Sequence, residues 1–157
     1  MITHPIEPFF DRCSTVLILG SFPSVASRQS GFFYGHKQNR FWRVLASITG
    51  EEVPQSIESK KLLLQKHGIA LWDVVASCDI IGSQDSSIDN VTVNELSHIL
   101  DNAHIARIFV NGRKAYELYN KYLRLKYGDA TYLPSTSAAN AAWSVDRLCT
   151  EWSQVVL

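Results

Sequence analysis

Residues 15–45 constrain this chain most, because they run from a short apolar segment through a breaker-rich loop into an amphipathic helix. Thr15-Val-Leu-Ile-Leu19 is a short apolar run rich in β-branched residues, and Gly20-Ser-Phe-Pro-Ser24 ends it abruptly. That is the pattern of a central parallel strand buried on both faces. The loop at the carboxyl end of such a strand is where open α/β sheets hold their ligands.

The remaining segments alternate around this unit. Residues 1–14, interrupted by Pro5 and Pro8, read as a lead-in lying on the surface. Phe41, Trp42, Leu45 and Ile48 recur at helical spacing within residues 37–48, and Gly50 closes that helix. A second helix is expected over residues 58–67, and Gly68-Ile-Ala-Leu-Trp-Asp-Val-Val75 is a second strand. Residues 78–90 have the Ser/Asp/Gly composition of a loop. Thr92 and Glu95 form a capping-box pattern that predicts a helix carrying Leu96, Ile99 and Leu100. A third strand over residues 107–110 stops at Asn111-Gly112, and a helix over residues 114–125 follows. Thr131-Tyr-Leu133 is a short fourth strand ended by Pro134, and residues 144–156 form the last helix, with Leu148, Trp152 and Val155 inward.

This alternation over 157 residues predicts a single α/β domain, with a parallel sheet of about four strands between helices on both faces. The polar breaks after the four strands should then surround one cleft. They are the loop at 20–36, the segment after Trp72-Asp73, Asn111-Gly112, and Pro134 to Ser137.

Composition and motifs exclude several functions. No apolar run approaches the ~18 residues of a membrane span, and the amino terminus lacks a secretory pattern, so a cytoplasmic protein is expected. Cys13, Cys78 and Cys149 lie far apart without a CxxC pair, which points away from disulfides and metal centres. There is no GxGxxG turn, phosphate loop, HExxH or GxSxG elbow, so neither cofactor nor metal is expected. Net charge is zero, yet Arg12, Arg28, Lys37, Arg40 and Arg43 occur between Asp11 and Glu51 with no carboxylate among them. A local cationic face thus coincides with the central loop.

The cleft is supplied with amides, hydroxyls and aromatics, which suit a flat polar ring bound by stacking and edge hydrogen bonds. Asn111 can both donate and accept, as a base edge requires, or it can serve as the turn residue before Gly112. Asn39 reads as an amino-terminal residue stabilising the helix that follows it. Phe32, Phe33 and Tyr34 offer a stacking partner, with at least two of the three expected in the core.

Five blocks, GSFPS, FYGHKQNRFW, GIALWDVVASC with GSQDSSI behind it, FVNGRKAYELY and LPSTSAANAAW, occur in this order along nearly the whole chain. Together they resemble the uracil-DNA glycosylase superfamily, and within it the hypoxanthine (deoxyinosine) DNA glycosylase branch. The resemblance implies a three-layer α/β/α sandwich. It also implies a monomeric, monofunctional glycosylase that removes a deaminated base from DNA, hypoxanthine before uracil. Most of that superfamily carries an Asp or Asn between the Gly and Pro of the first motif, where this chain has Ser21-Phe22. The resemblance moves the catalytic role to Asn39, with Asn111 as second candidate, and assigns Ser21, Phe22, Tyr34 and Asn111 to the base. Pro134, Ser135, Thr136 and Ser137 resemble the motif that presses on the minor groove, although the His common there is absent, leaving Asn140 or His36 to assist the leaving base. Arg28, Lys37 and Arg40, together with Arg43, would meet on the order of 2–4 phosphates. Asp73 and Asp85 lie in matching blocks, and Asp73 is the runner-up for a base. A noncatalytic nucleic-acid or nucleotide binding module of the same fold is the alternative reading.

Overall fold

The computed structural model describes residues 1–156. Seven strands are present among the described residues: β1 (Ile2–Thr3), β2 (Val16–Gly20), β3 (Ile69–Asp73), β4 (Val75–Asp79), β5 (Asp89–Val93), β6 (Arg107–Asn111) and β7 (Thr131–Leu133). The helices are α1 (Val25–Ser30), α2 (Phe41–Thr49), α3 (Ile57–His67), α4 (Ser97–Leu100), α5 (Arg113–Tyr122), α6 (Arg124–Tyr127) and α7 (Val145–Trp152). Strands β3-β2-β6-β7 form a four-stranded sheet, parallel throughout, and β1-β4-β5 form a small antiparallel sheet beside it. No helix is long and apolar enough to cross a membrane among the described residues.

Every residue of β2 is buried, because it lies between β3 and β6 and is covered on both faces. Val16 and Ile18 point to one layer, with α2, α3 and α7, where Phe41, Leu45, Leu64, Leu148 and Trp152 pack. Leu17 and Leu19 point to the other, where Leu96, Ile99, Ala115, Leu118 and Tyr119 pack. This is the expected three-layer sandwich. Helix α2 buries Phe41, Trp42, Val44, Leu45 and Ala46 on one face and stops at Gly50, whose φ of 73° is the left-handed conformation of a helix end.

Three expectations fail, each through pairing that local sequence does not encode. Residues 1–14 are no surface lead-in: β1 pairs with β4, Phe9 bridges to Leu71, and Ile6 is buried. Residues 89–93, partly assigned to a loop, form β5 against β4. Thr92 therefore pairs with Ser77 in a strand and caps nothing, and the helix expected after it is reduced to the four residues of α4. The 20–36 loop also holds a short helix, α1, capped by Ser24.

Candidate active site

The carboxyl ends of the four parallel strands open into one cleft of about 840 Å³, lined from Gly20, Asp73, Asn111 and Ser135 outward. A smaller cavity of about 480 Å³, around Ile105 and Arg107, is at the opposite end of the sheet and shows no such convergence.

One wall of the cleft is a chain of amides and hydroxyls. The Asn111 Nδ2 donates to Thr136 Oγ1 at 3.0 Å, the Thr136 amide donates to Asn111 Oδ1 at 3.1 Å, and Thr136 Oγ1 donates to Asn39 Oδ1 at 2.9 Å. Asn39 Oδ1 also accepts the Phe41 amide at 2.9 Å. Since a backbone amide can only donate, the orientation of the Asn39 amide follows: its oxygen is spent twice, and its NH2 finds no partner among the described residues. Asn39 precedes Arg40, the N-cap of α2, accepts the first helical amide and lines the cleft, while α2 has no side-chain cap. Asn111 is engaged at both ends by Thr136, which leaves one N–H and the second lone pair of Oδ1, a donor and an acceptor.

The floor is a second network. Asp73 ends β3 and is 4% exposed, and its Oδ2 lies 2.8 Å from His4 Nε2. His4 Nδ1 accepts the Ile6 amide at 3.2 Å, so the ring proton sits on Nε2 and donates to the carboxylate. The His4 ring is held edge-on to Phe22 (5.8 Å) and Trp72 (6.4 Å). A Cβ placed on Gly20 would come within 2.4 Å of Asp73 Oδ1 and 3.1 Å of the Tyr34 hydroxyl, so both groups lean over a residue that must lack a side chain. Gly20→Ala is expected to displace Asp73 and lower stability by about 1–3 kcal/mol, with a matching loss of ligand binding. A denaturant titration showing wild-type stability would contradict this close approach.

Tyr34 stands in the left-handed region, with φ 53°. Its ring stacks on Phe41 at 4.0 Å, which occupies one face of the side chain expected to stack on a base. Its hydroxyl is buried without a hydrogen-bond partner. Burial first, and then the Asp73 charge, push its pKa far above the usual phenol value against the opposing pull of the nearby Asn111 amide, so it is a neutral donor. Phe32 and Phe33 are core residues, as expected.

At the rim, Ser21 Oγ donates to Asp85 Oδ1 at 2.7 Å. Asp85 keeps an exposed edge, yet loss of water around its carboxyl, and next in that direction the Asp73 charge, hold it above the usual carboxylate range against the Ser21 hydrogen bond.

Several expected DNA contacts are redirected. Arg40 turns its guanidinium into the 136–143 loop, donating to the carbonyls of Thr136, Ser137, Asn140 and Trp143, so it is a clamp rather than a phosphate ligand. Arg28 donates to the Pro23 and Gly82 carbonyls and ties two cleft loops together. Thr136 is fully buried, and Pro134 is buried with its carbonyl accepting Trp152 Nε1 at 2.9 Å. Neither can press on a groove. Ser135 and Ser137 remain partly open, and Ala138 and Ala139 form the exposed tip of that loop. Lys37 is exposed, without an ion pair among the described residues, and Arg113, which sequence reading passed over, sits at the rim above the Tyr132 ring at 5.8 Å. His4 was also missed, because its partner lies 69 residues away. Among the described residues no group of three His, Cys, Asp or Glu side chains could hold a metal ion.

A profile described as the uracil DNA glycosylase superfamily matches residues 7–154. The chain is 37% identical over 157 residues, 99% of its length and 98% of the relative's, to a protein of Methanosarcina acetivorans named hypoxanthine DNA glycosylase. A protein of the same name from Methanosarcina barkeri is 37% identical over 136 residues, covering 85% of each chain. The fold matches a solution NMR structure from Methanosarcina acetivorans, described provisionally as a uracil DNA glycosylase, with a TM-score of 0.84. The two are 35% identical, and the match covers 99% of this chain and 97% of that one.

Proposed function

The chain belongs to the uracil DNA glycosylase superfamily, and from that membership and the cleft we propose that it is a monofunctional DNA glycosylase that excises hypoxanthine, with uracil second. The observation that carries this reading is the Asn39–Thr136–Asn111 chain, which lines a cleft of about 840 Å³, room enough for a flipped base, and leaves the Asn39 NH2 without a partner among the described residues.

The chemistry follows from the groups available. Asn39 offers only N–H donors to the cleft, so it can hold a water or a base acceptor but can take no proton. The reaction therefore leans on an oxocarbenium-like sugar that needs little activation of water. The N-glycosidic bond breaks with its electrons going to the base, water adds to the oxocarbenium-like anomeric carbon, and the proton that water gives up ends on the departed base. No lysine lines the cleft among the described residues, which supports hydrolysis without a Schiff-base step.

DNA would approach across Lys37, Arg113 and the Ala138–Ala139 tip. Lys37→Ala combined with Arg113→Ala is expected to reduce the slope of log affinity against log salt by about 2 while leaving the fold intact. A titration of binding between low and moderate salt checks this, and an unchanged slope would move the DNA path elsewhere. The decisive assay is single-turnover cleavage of oligonucleotides carrying one deoxyinosine or one deoxyuridine. Binding of both with neither cut after alkaline workup would establish the noncatalytic module instead.

A further inference from the structure

The rim of the cleft carries an aromatic ring and a cation that the hydrolytic step does not use. We infer that this pair, Tyr132 and Arg113, holds the nucleotide next to the flipped one, and that the substrate it receives is single-stranded DNA. This rests on the reading of the chain as a DNA glycosylase. It extends that reading by naming the strand state of the substrate.

Tyr132 lies on β7, the edge strand of the parallel sheet, and its side chain is 38% exposed although all three residues of β7 pair with β6. Tyr116 of α5 meets the ring at 5.6 Å with an interplanar angle of 63°, and the Arg113 guanidinium stands over it at 5.8 Å. The pair is firmly placed. The Gly112 amide donates to the Leu133 carbonyl at 2.8 Å, and a Cβ on Gly112 would come within 3.2 Å of the Ser135 Cβ, so the start of α5 is packed against the end of β7. Tyr132, Arg113 and Ser135 all border the cleft. Arg113 is exposed and without an ion pair among the described residues, and its distance from the ring is near the outer limit of a cation–π contact. It can therefore turn to a phosphate and leave the ring face to a base. A ring for the base beside a cation for its phosphate is how single strands are held without regard to sequence.

The loop beside this pair decides the strand state. Extruding a base from a duplex leaves a gap and an unpaired partner, and proteins that open a stack insert a wedge such as Phe, Leu, Ile, Met or Pro. Here the exposed tip is Ala138 and Ala139, while Pro134 and Thr136 are buried. A methyl group fills too little of that gap. A single strand needs no wedge, has no pairing to break, and presents its neighbouring base free to stack on Tyr132.

The test measures equilibrium binding and single-turnover excision on one deoxyinosine oligonucleotide, as a single strand and in duplex, and on single strands in which the base on either side of the lesion is replaced in turn by an abasic spacer. Wild type should favour the single strand over the duplex by about tenfold or more. One of the two spacers should lower its single-strand affinity by about 5–100-fold. Tyr132→Ala should lose as much on the intact strand and nothing further with that spacer, because ring and base make one shared contact. Tyr122 is also exposed, with a lysine 5.1 Å from its ring, but does not line the cleft, so Tyr122→Ala should match wild type. Losses that add, a Tyr132→Ala that binds as wild type does, or a wild type that takes the duplex equally well would each overturn the inference. If wild type cuts no oligonucleotide, the glycosylase reading fails, but the binding measurements still decide this one: a shared loss upholds it, and an additive or absent loss overturns it. Should Tyr132→Ala not fold, Tyr132→Leu takes its place, since it keeps apolar contact with Tyr116 and removes the ring face.

Discussion

Replacing Asn39 with alanine is expected to lower the single-turnover rate on deoxyinosine DNA by about 10²–10³-fold, the usual cost of one oriented donor in a preorganised site. Stability should fall as well, by about 1–2 kcal/mol, because Asn39 Oδ1 also accepts the Phe41 amide and the Thr136 hydroxyl. Asn39→Asp separates the two roles. Its retained oxygen can still accept both hydrogen bonds and start α2, so the melting temperature should stay close to wild type. The NH2 facing the cleft is gone, so excision should be lost almost as completely as in Asn39→Ala. An active Asn39→Asp would show that an acceptor, not a donor, does the work at this position, and would return the site to a carboxylate-base mechanism.

Arg40→Ala should produce the largest loss of stability of any single change at the cleft. One guanidinium donates to four carbonyls of the 136–143 segment, and the Arg40 amide donates to the Thr136 carbonyl at 3.0 Å. Removing the side chain leaves those acceptors without their charged donor, at a cost of about 3 kcal/mol. For a chain of this size that corresponds to a drop of about 10 °C in melting temperature. Arg40→Lys should recover less than half of this, since an ammonium cannot span the fork that a planar guanidinium fits. DNA affinity would fall through disorder of the loop, and the salt slope of the molecules that remain folded would stay near that of wild type. A slope lowered by about 1 without a loss of stability would restore Arg40 to the phosphate-contacting role its charge first suggested.

Strand β2 and helix α2 were legible in sequence because each carries its burial pattern locally. All five residues of β2 are buried, and the apolar residues of α2 recur with the helical period. The position of the cleft was legible for the same reason, since a breaker follows each parallel strand and topology gathers the breaks at one edge. Asn111, at the break after β6, was placed in the cleft by that topology, whereas Asn39 was singled out by the family resemblance; both line the cleft. The small sheet was hidden because Asp89-Asn-Val-Thr-Val93 is polar and mostly exposed, and its partner, not its composition, makes it a strand.

The chain's own pattern thus determined the parallel sheet, the layers around it and the edge where the site lies, since apolar periodicity is a property of neighbouring residues. Only the tertiary structure decided what the polar residues do. It set His4 beside Asp73, turned Arg40 from a surface cation into a clamp and buried Thr136 between two asparagines. Hydrogen bonds join groups that sequence separates by up to 100 residues or so, as between Arg40 and Asn140. Which donor meets which acceptor is settled when the backbone closes around them, because a buried polar group that fails to find a partner costs more than its local preference can repay.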